Sequence, residues 1–224
     1  TARLKRQRNL TPDEIYDQVV AIKEQAELFF NRPLTNIVFM GMGEPLLNYA
    51  NVVSAIDKIT SQKGLNMASR RITVSTVGVA KMIEKMADDN VKFNLAVSLH
   101  AAIDKTRSSI MPINDTNSLK ELGNALKYWY EKTGRKVTYE YVVWKGINDN
   151  EEHARALLKF CKIIPSKVNL IEYNPIDDGE FQQASEESLN MYMEILESQG
   201  ITTRIRKSRG KDIDAACGQL ANKT

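Results

Sequence analysis

Five short stretches hold the residue types and spacings that can do chemistry. Gly41-Met42-Gly43-Glu44-Pro45 ends an apolar run with two glycines and one carboxylate. The glycines let a ligand approach the backbone closely, and Glu44 can accept hydrogen bonds from an ammonium group. The stretch is neither a phosphate-cradling P-loop nor a GxGxxG fingerprint, and it reads equally as a tight turn with an incidental acid. Ser75-Thr76-Val77-Gly78 sets hydroxyls before a glycine, suited to a carboxylate or ribose, or to capping a helix. Ser98-Leu99-His100 alternates polar, apolar, polar, which turns two side chains to one side of a strand. His100 serves there as ligand, base or donor, or as a hydrogen-bonded rim residue. In Glu172-Tyr173-Asn174-Pro175 the proline holds Asn174 extended, aiming its amide at a heterocycle edge or starting a turn. Cys217 stands among small residues near a basic segment, where a thiolate is favoured and a large ligand has room, or it is a free surface thiol. Cys161 shares an apolar helix face with Leu157 and Leu158 and reads as packing.

The elements that must position these groups alternate. Apolar runs at 36–40, 71–76, 92–99, 137–144, 168–173 and 201–206 are strand-sized, and amphipathic segments near 48–63, 78–88, 118–133, 150–163 and 185–199 separate them. Thr11-Pro12-Asp13-Glu14 opens a further helix with a capping box and runs to about residue 30. Such alternation implies βα units on a parallel sheet. Polar groups gather where nearly every strand gives way to its loop. That pattern fits a barrel or partial barrel, whose active sites collect at the carboxyl ends of strands, better than one switch-point crevice. No internal break divides the chain, so residues 1–224 read as one domain, with 201–224 as an extension carrying Cys217.

Composition bounds the function. A hydrophobic fraction of 42% in 224 residues supports a real core, and no run is long enough to span a bilayer. The net charge of +3 is mild, but Arg3, Lys5, Arg6 and Arg8 crowd the start and Arg204, Arg206, Lys207, Arg209 and Lys211 the end, where phosphates can bind. Two cysteines make no disulfide framework and suggest a reducing, cytoplasmic setting. Two histidines without a CxxC pair argue against zinc.

Together, these stretches, with Arg8-Asn9-Leu10-Thr11, Met111-Pro112-Ile113-Asn114 and Arg209-Gly210 through Cys217-Gly218-Gln219-Leu220, resemble the RlmN/Cfr family of radical S-adenosylmethionine (SAM) RNA methyltransferases along essentially the whole chain. The resemblance implies an α/β fold, a partial (βα)6 TIM-like barrel, here missing its first strand and cluster loop. It implies that Gly43, Glu44, Ser75, Ser98, Leu99, His100 and Asn174 bind SAM, and that Cys217 carries a methyl group as S-methylcysteine. In the family, one SAM methylates this thiolate, and a second, cleaved at a reduced [4Fe-4S] cluster, gives a 5'-deoxyadenosyl radical. That radical activates the S-methyl group for addition to C2 of an adenine in 23S rRNA, with tRNA as a further substrate; Cfr relatives act on C8. An electron donor such as flavodoxin serves the full-length enzyme. The adenine must leave its stack, at a cost of roughly a few kcal/mol.

The family's CxxxCxxC motif, which ligates the cluster, would stand just before Thr1. The chain is therefore expected to be a C-terminal fragment with no metal ligands of its own, inactive alone and without iron–sulfur absorbance. Two other readings are a stand-alone, non-catalytic SAM- or RNA-binding module and an unrelated β/α-barrel enzyme acting on a small phosphorylated substrate.

Overall fold

The computed structural model describes residues 7–40, 43–174 and 181–207. Their contacts group them into two compact units. One is drawn from Ala2–Thr76 and Val91–Leu95, the other from Val77–Asn90 and Ala96–Thr224.

In the first unit, helix α1 (Pro12–Phe30) begins at the predicted capping box. The Thr11 hydroxyl accepts from the Glu14 N–H (3.3 Å), and Glu14 accepts from the Thr11 N–H (2.8 Å). Two N–H groups of the first turn would otherwise lack partners. Arg8 forks onto the same carboxylate at 2.6 and 2.8 Å, which holds the Glu14 acid down at about 2. The helix stops at Asn31, which takes a left-handed conformation. Strand β1 (Ile37–Phe39), helix α2 (Tyr49–Thr60) and strand β2 (Ile72–Thr76) follow, and β1 pairs with β2 in parallel, Ile37 opposite Ile72. The Leu10 carbonyl accepts from the side chains of Asn48 and Asn51, tying the entry of α1 to the start of α2. At the far end of α1, Leu28, Phe29 and Phe30 stay exposed.

In the second unit lie α3 (Ala80–Asp88), the last three residues of β3 (Asn94–Ser98), α4 (Asp104–Ile110), α5 (Leu119–Thr133), β4 (Val137–Val143), α6 (Glu151–Cys161), β5 (Ser166–Glu172), α7 (Glu186–Glu197) and β6 (Thr202–Arg206). β4 and β5 pair in parallel from Val137–Ser166 to Val143–Glu172, and β5 and β6 from Lys167–Thr202 to Ile171–Arg206. One face of β4 carries Val137, Tyr139, Tyr141 and Val143, all buried. Tyr139 meets Phe160 of α6 edge-on, and Tyr141 meets Tyr192 of α7. Each such buried side chain contributes about 1.5–3 kcal/mol of transfer free energy. The opposite face carries a buried acid, Glu140, bonded by Asn169 across the β4–β5 pair (2.8 Å) and approached by Arg206 (3.4 Å). Burial pushes its carboxyl up, and these two donors oppose the shift.

The strands follow one another in the sheet in chain order, β1 to β6. Parallel strands with helical crossovers in this order make a partial (βα)6 barrel, the expected fold class. All six strands fall within two residues of the apolar runs read from the sequence. The segment near 48–63 is shorter than its periodicity suggested. Pro45–Asn48 forms a 3-10 turn before α2, and the helix ends at Thr60 because Ser61 is extended.

Candidate functional site

The polar groups at the strand ends are built locally, and those of each unit are described separately. In the first unit, Gly43 has φ of +104°, a conformation favoured only by glycine, with open space where a Cβ would stand. Gly41 and Met42 lie outside the described residues. Glu44 is the N-cap of the Pro45–Asn48 turn, its carboxylate accepting from the Leu46 N–H at 3.0 Å. The cap fixes the carboxylate's direction, and a carboxylate has about four lone-pair sites. Ser75 is a buried residue of β2. It is not a helix cap, the alternative its sequence left open. The N-cap of α3 is Val79, and the Ala80 N–H is satisfied by Asn117 Oδ1 at 2.9 Å.

In the second unit the end of β3 is tightly determined. Ser98 is half-buried, and Leu99 is fully buried. The Leu99 N–H makes a last ladder bond to the Glu140 carbonyl (3.0 Å), and the chain then turns sharply, the Ala101 N–H reaching the Leu99 carbonyl at 2.7 Å. His100, at the apex, has φ of +57°; the other non-glycine residues with positive φ among those described are asparagines. Such a backbone costs of order 1–3 kcal/mol and persists only where its surroundings over-determine it.

Those surroundings are explicit. The His100 ring takes the place the strand has vacated: its Nδ1 accepts from the Val142 N–H of β4 at 3.1 Å. A backbone N–H can only donate, so in the neutral ring the proton sits on Nε2. The His100 carbonyl accepts from Asn148 Nδ2 at 2.8 Å, and the ring stands edge-on to Trp144, centroids 5.8 Å apart. The residue keeps partial exposure. Burial, helped by the positive charge of Arg107, pulls the imidazole down to about 4, so it is a neutral donor at physiological pH.

Two groups that the sequence reading missed hold this turn. Arg107, on α4, is fully buried. Its Nε donates to the Leu99 carbonyl (3.1 Å), Nη1 to Asn114 Oδ1 (2.9 Å) and Nη2 to the Val77 carbonyl (2.6 Å). Asn114 in turn bonds Asp104, whose carboxylate also accepts from the Leu119 N–H at the start of α5. Asn114 lay within a quoted motif, but nothing in the sequence marked Arg107 as internal. The other missed group is Asn148, also fully buried. Its amide donates to the carbonyls of His100 and Val142 and accepts from the Trp144 N–H.

Asn174 follows β5 and is buried. Next to it, Tyr173 joins Trp144 and Phe181 in a cluster with centroids 5.4 to 6.3 Å apart. Cys161 is buried as expected, and its thiol is pushed up to about 12. Cys217 lies outside the described residues.

Each unit thus carries polar groups at its strand ends, a carboxylate and a hydroxyl in the first and a hydroxyl and an imidazole in the second. Residues 2–158 match the radical SAM superfamily, and the chain belongs to that superfamily. Within it, the chain is 69% identical over 223 residues to a protein of Flavobacterium psychrophilum named "Probable dual-specificity RNA methyltransferase RlmN", covering 100% of this chain and 64% of that protein. The protein of the same name from Salinibacter ruber is 51% identical, over 99% of this chain and 61% of its own length. This chain thus spans under two thirds of those relatives. A crystal structure of a radical SAM methyltransferase from Sphaerobacter thermophilus superposes with a TM-score of 0.92 at 42% identity, over 95% of this chain and 62% of that one. A domain of pyruvate-formate lyase-activating enzyme from Bacteroides vulgatus shares the fold alone, with a TM-score of 0.60 at 18% identity over 78% of this chain and 100% of that one.

Proposed function

We propose that this chain is the core of a cytoplasmic, dual-specificity radical SAM methyltransferase that methylates C2 of an adenine in 23S rRNA and in tRNA. The observation that carries the reading is the similarity over the whole chain to a relative named for RNA methylation. The donor set supports it. Glu44 suits the ammonium of SAM, Ser75 and Ser98 suit its carboxylate or ribose hydroxyls, and His100 Nε2–H and Asn174 suit acceptors on the heterocycle or carboxylate. Gly43 leaves room for the ligand to lie against the backbone. When bound, SAM supplies the methyl group and the radical precursor. The protein's part is to fix the cofactor, exclude competing reactions and present a sulfur to it. Cys217, in the extension 201–224, would be that sulfur: its thiolate would take the methyl carbon from the sulfonium, releasing S-adenosylhomocysteine, and become S-methylcysteine. The basic residues Arg204 and Arg206 at the end of the sheet suit RNA phosphates.

The described residues do not fit an iron–sulfur cluster. Among them no group of three or more His, Cys, Asp or Glu side chains is placed to hold a metal, and the Cys161 thiol is held protonated inside α6.

The test is Cys217→Ala in the protein as its gene encodes it, with adenine methylation read by mass spectrometry of digested RNA. Activity should vanish, and wild-type protein should yield a Cys217 peptide heavier by one methylene. A fully active Cys217→Ala variant would overturn the role given to this residue. Absence of SAM binding by calorimetry would overturn the cofactor reading.

A further inference from the structure

The geometry points to Asn148 as a positioning residue that locks His100 into a left-handed turn, so that the imidazole faces the site as an Nε2–H donor. This rests on the reading of His100 as a SAM-binding group. Asn148 is fully buried and uses its whole amide at one junction. Nδ2 donates to the carbonyls of His100 (2.8 Å) and Val142 (2.9 Å), and Oδ1 accepts from the Trp144 N–H (2.7 Å). It therefore clips His100, two residues past β3, to Val142 in β4 and to Trp144 just beyond it. The Val142 unit is held at its carbonyl by Asn148 and gives its N–H to His100 Nδ1. With Val142 so held, its N–H requires an acceptor at Nδ1, which keeps the ring proton on Nε2.

The remaining grips come from other elements. The Tyr192 hydroxyl of α7 donates to the Asn148 backbone carbonyl, and Arg107 holds the Leu99 carbonyl on the other side of His100. From the β4–α6 connection, Asn148 supplies the hydrogen bond to His100 and Trp144 the ring contact. Its neighbours serve the same loop: Asp149 accepts from the Gly146 N–H (2.9 Å), and Asn150 caps α6 through the His153 N–H (3.2 Å). The run Gly146-Ile147-Asn148-Asp149-Asn150 thus reads as a bracket for the site rather than as an ordinary turn.

The experiment uses the protein as its gene encodes it, 15N-labelled in histidine and valine. A scalar coupling across the Val142 N–H···Nδ1 hydrogen bond is expected in the wild type. It should be lost in Asn148→Ala and kept in Leu196→Ala, which opens a cavity beneath the buried face of α7 and destabilises the fold without touching the turn. If Asn148→Ala does not fold, Asn148→Ser, which keeps one donor, is expected to weaken the coupling. SAM affinity by calorimetry should fall about tenfold in the Asn148 variant, the worth of one well-made hydrogen bond, and less in Leu196→Ala. A wild-type ring protonated on Nδ1, or a coupling as strong in the Asn148 variants as in the wild type, would overturn the proposal. If the coupling behaves as expected but SAM does not bind, the cofactor reading fails and the positioning of His100 stands.

Discussion

Replacing Arg107 should be among the most damaging single changes available in the second unit. The guanidinium is fully buried and gives three good hydrogen bonds, to Leu99 O, Asn114 Oδ1 and Val77 O, at 3.1, 2.9 and 2.6 Å. Hydrogen bonds to a charged group are worth about 1.5–3 kcal/mol each, so the gross loss is roughly 5–9 kcal/mol. Against this stands relief from burying a cation, an effect that already pulls the guanidinium down to about 10. Breaking one side of a buried charged network typically leaves a net cost of about 3–5 kcal/mol. With a urea slope of about 3 kcal/mol/M, Arg107→Met should lower the unfolding midpoint by roughly 1–1.7 M. Methionine fills similar volume, so the loss isolates the orphaned acceptors from the cavity. Arg107→Lys should recover little, because a point donor cannot serve three divergent acceptors. A loss below about 1 kcal/mol in Arg107→Met would refute the reasoning, since buried carbonyls left without donors cannot be that cheap.

His100 makes stability pH-dependent in a defined window. Its folded-state value, about 4, lies below the ordinary 6.5, so the unfolded chain binds the proton first as pH falls. The stabilisation is full above about pH 6.5 and is lost progressively toward pH 4; urea titrations across that range should show the decline, and His100→Asn should flatten it. Cys161, with its thiol raised to about 12, should resist iodoacetamide at pH 8 in the folded protein and react only in denaturant, as peptide mass spectrometry will show.

The strands and most helices were legible because they obey periodicities the chain cannot hide. The apolar run of β4 and the capping box of α1 are written in residue types. α4 was not legible. Its sequence, Asp104-Lys105-Thr106-Arg107-Ser108-Ser109-Ile110, has no apolar stripe, because the group it buries is an arginine. The same holds for Asn148: a buried amide bridging two strand ends looks, in sequence, like one more polar residue in a loop. The site residues Ser98, Leu99 and His100 were readable as a strand end, but not the turn that makes His100 a neutral donor. Periodicity reports what water excludes, and it is silent on polar groups that satisfy one another inside.

The ring of His100 completes a ladder that the backbone has left, and this narrows what evolution or an engineer can place there. A replacement must offer an acceptor to the Val142 N–H at about 3.1 Å and also tolerate φ near +57°. Alanine fails both demands, glutamine is poorly suited to the backbone, and glycine has no acceptor. Asparagine alone among neutral side chains meets both, since it enters the left-handed region readily and carries an amide oxygen. Drift at this position is thus channelled toward a single exit. A loss of binding in an alanine variant would mix two causes, a missing ligand contact and an unsatisfied amide in β4, that only the asparagine variant can separate.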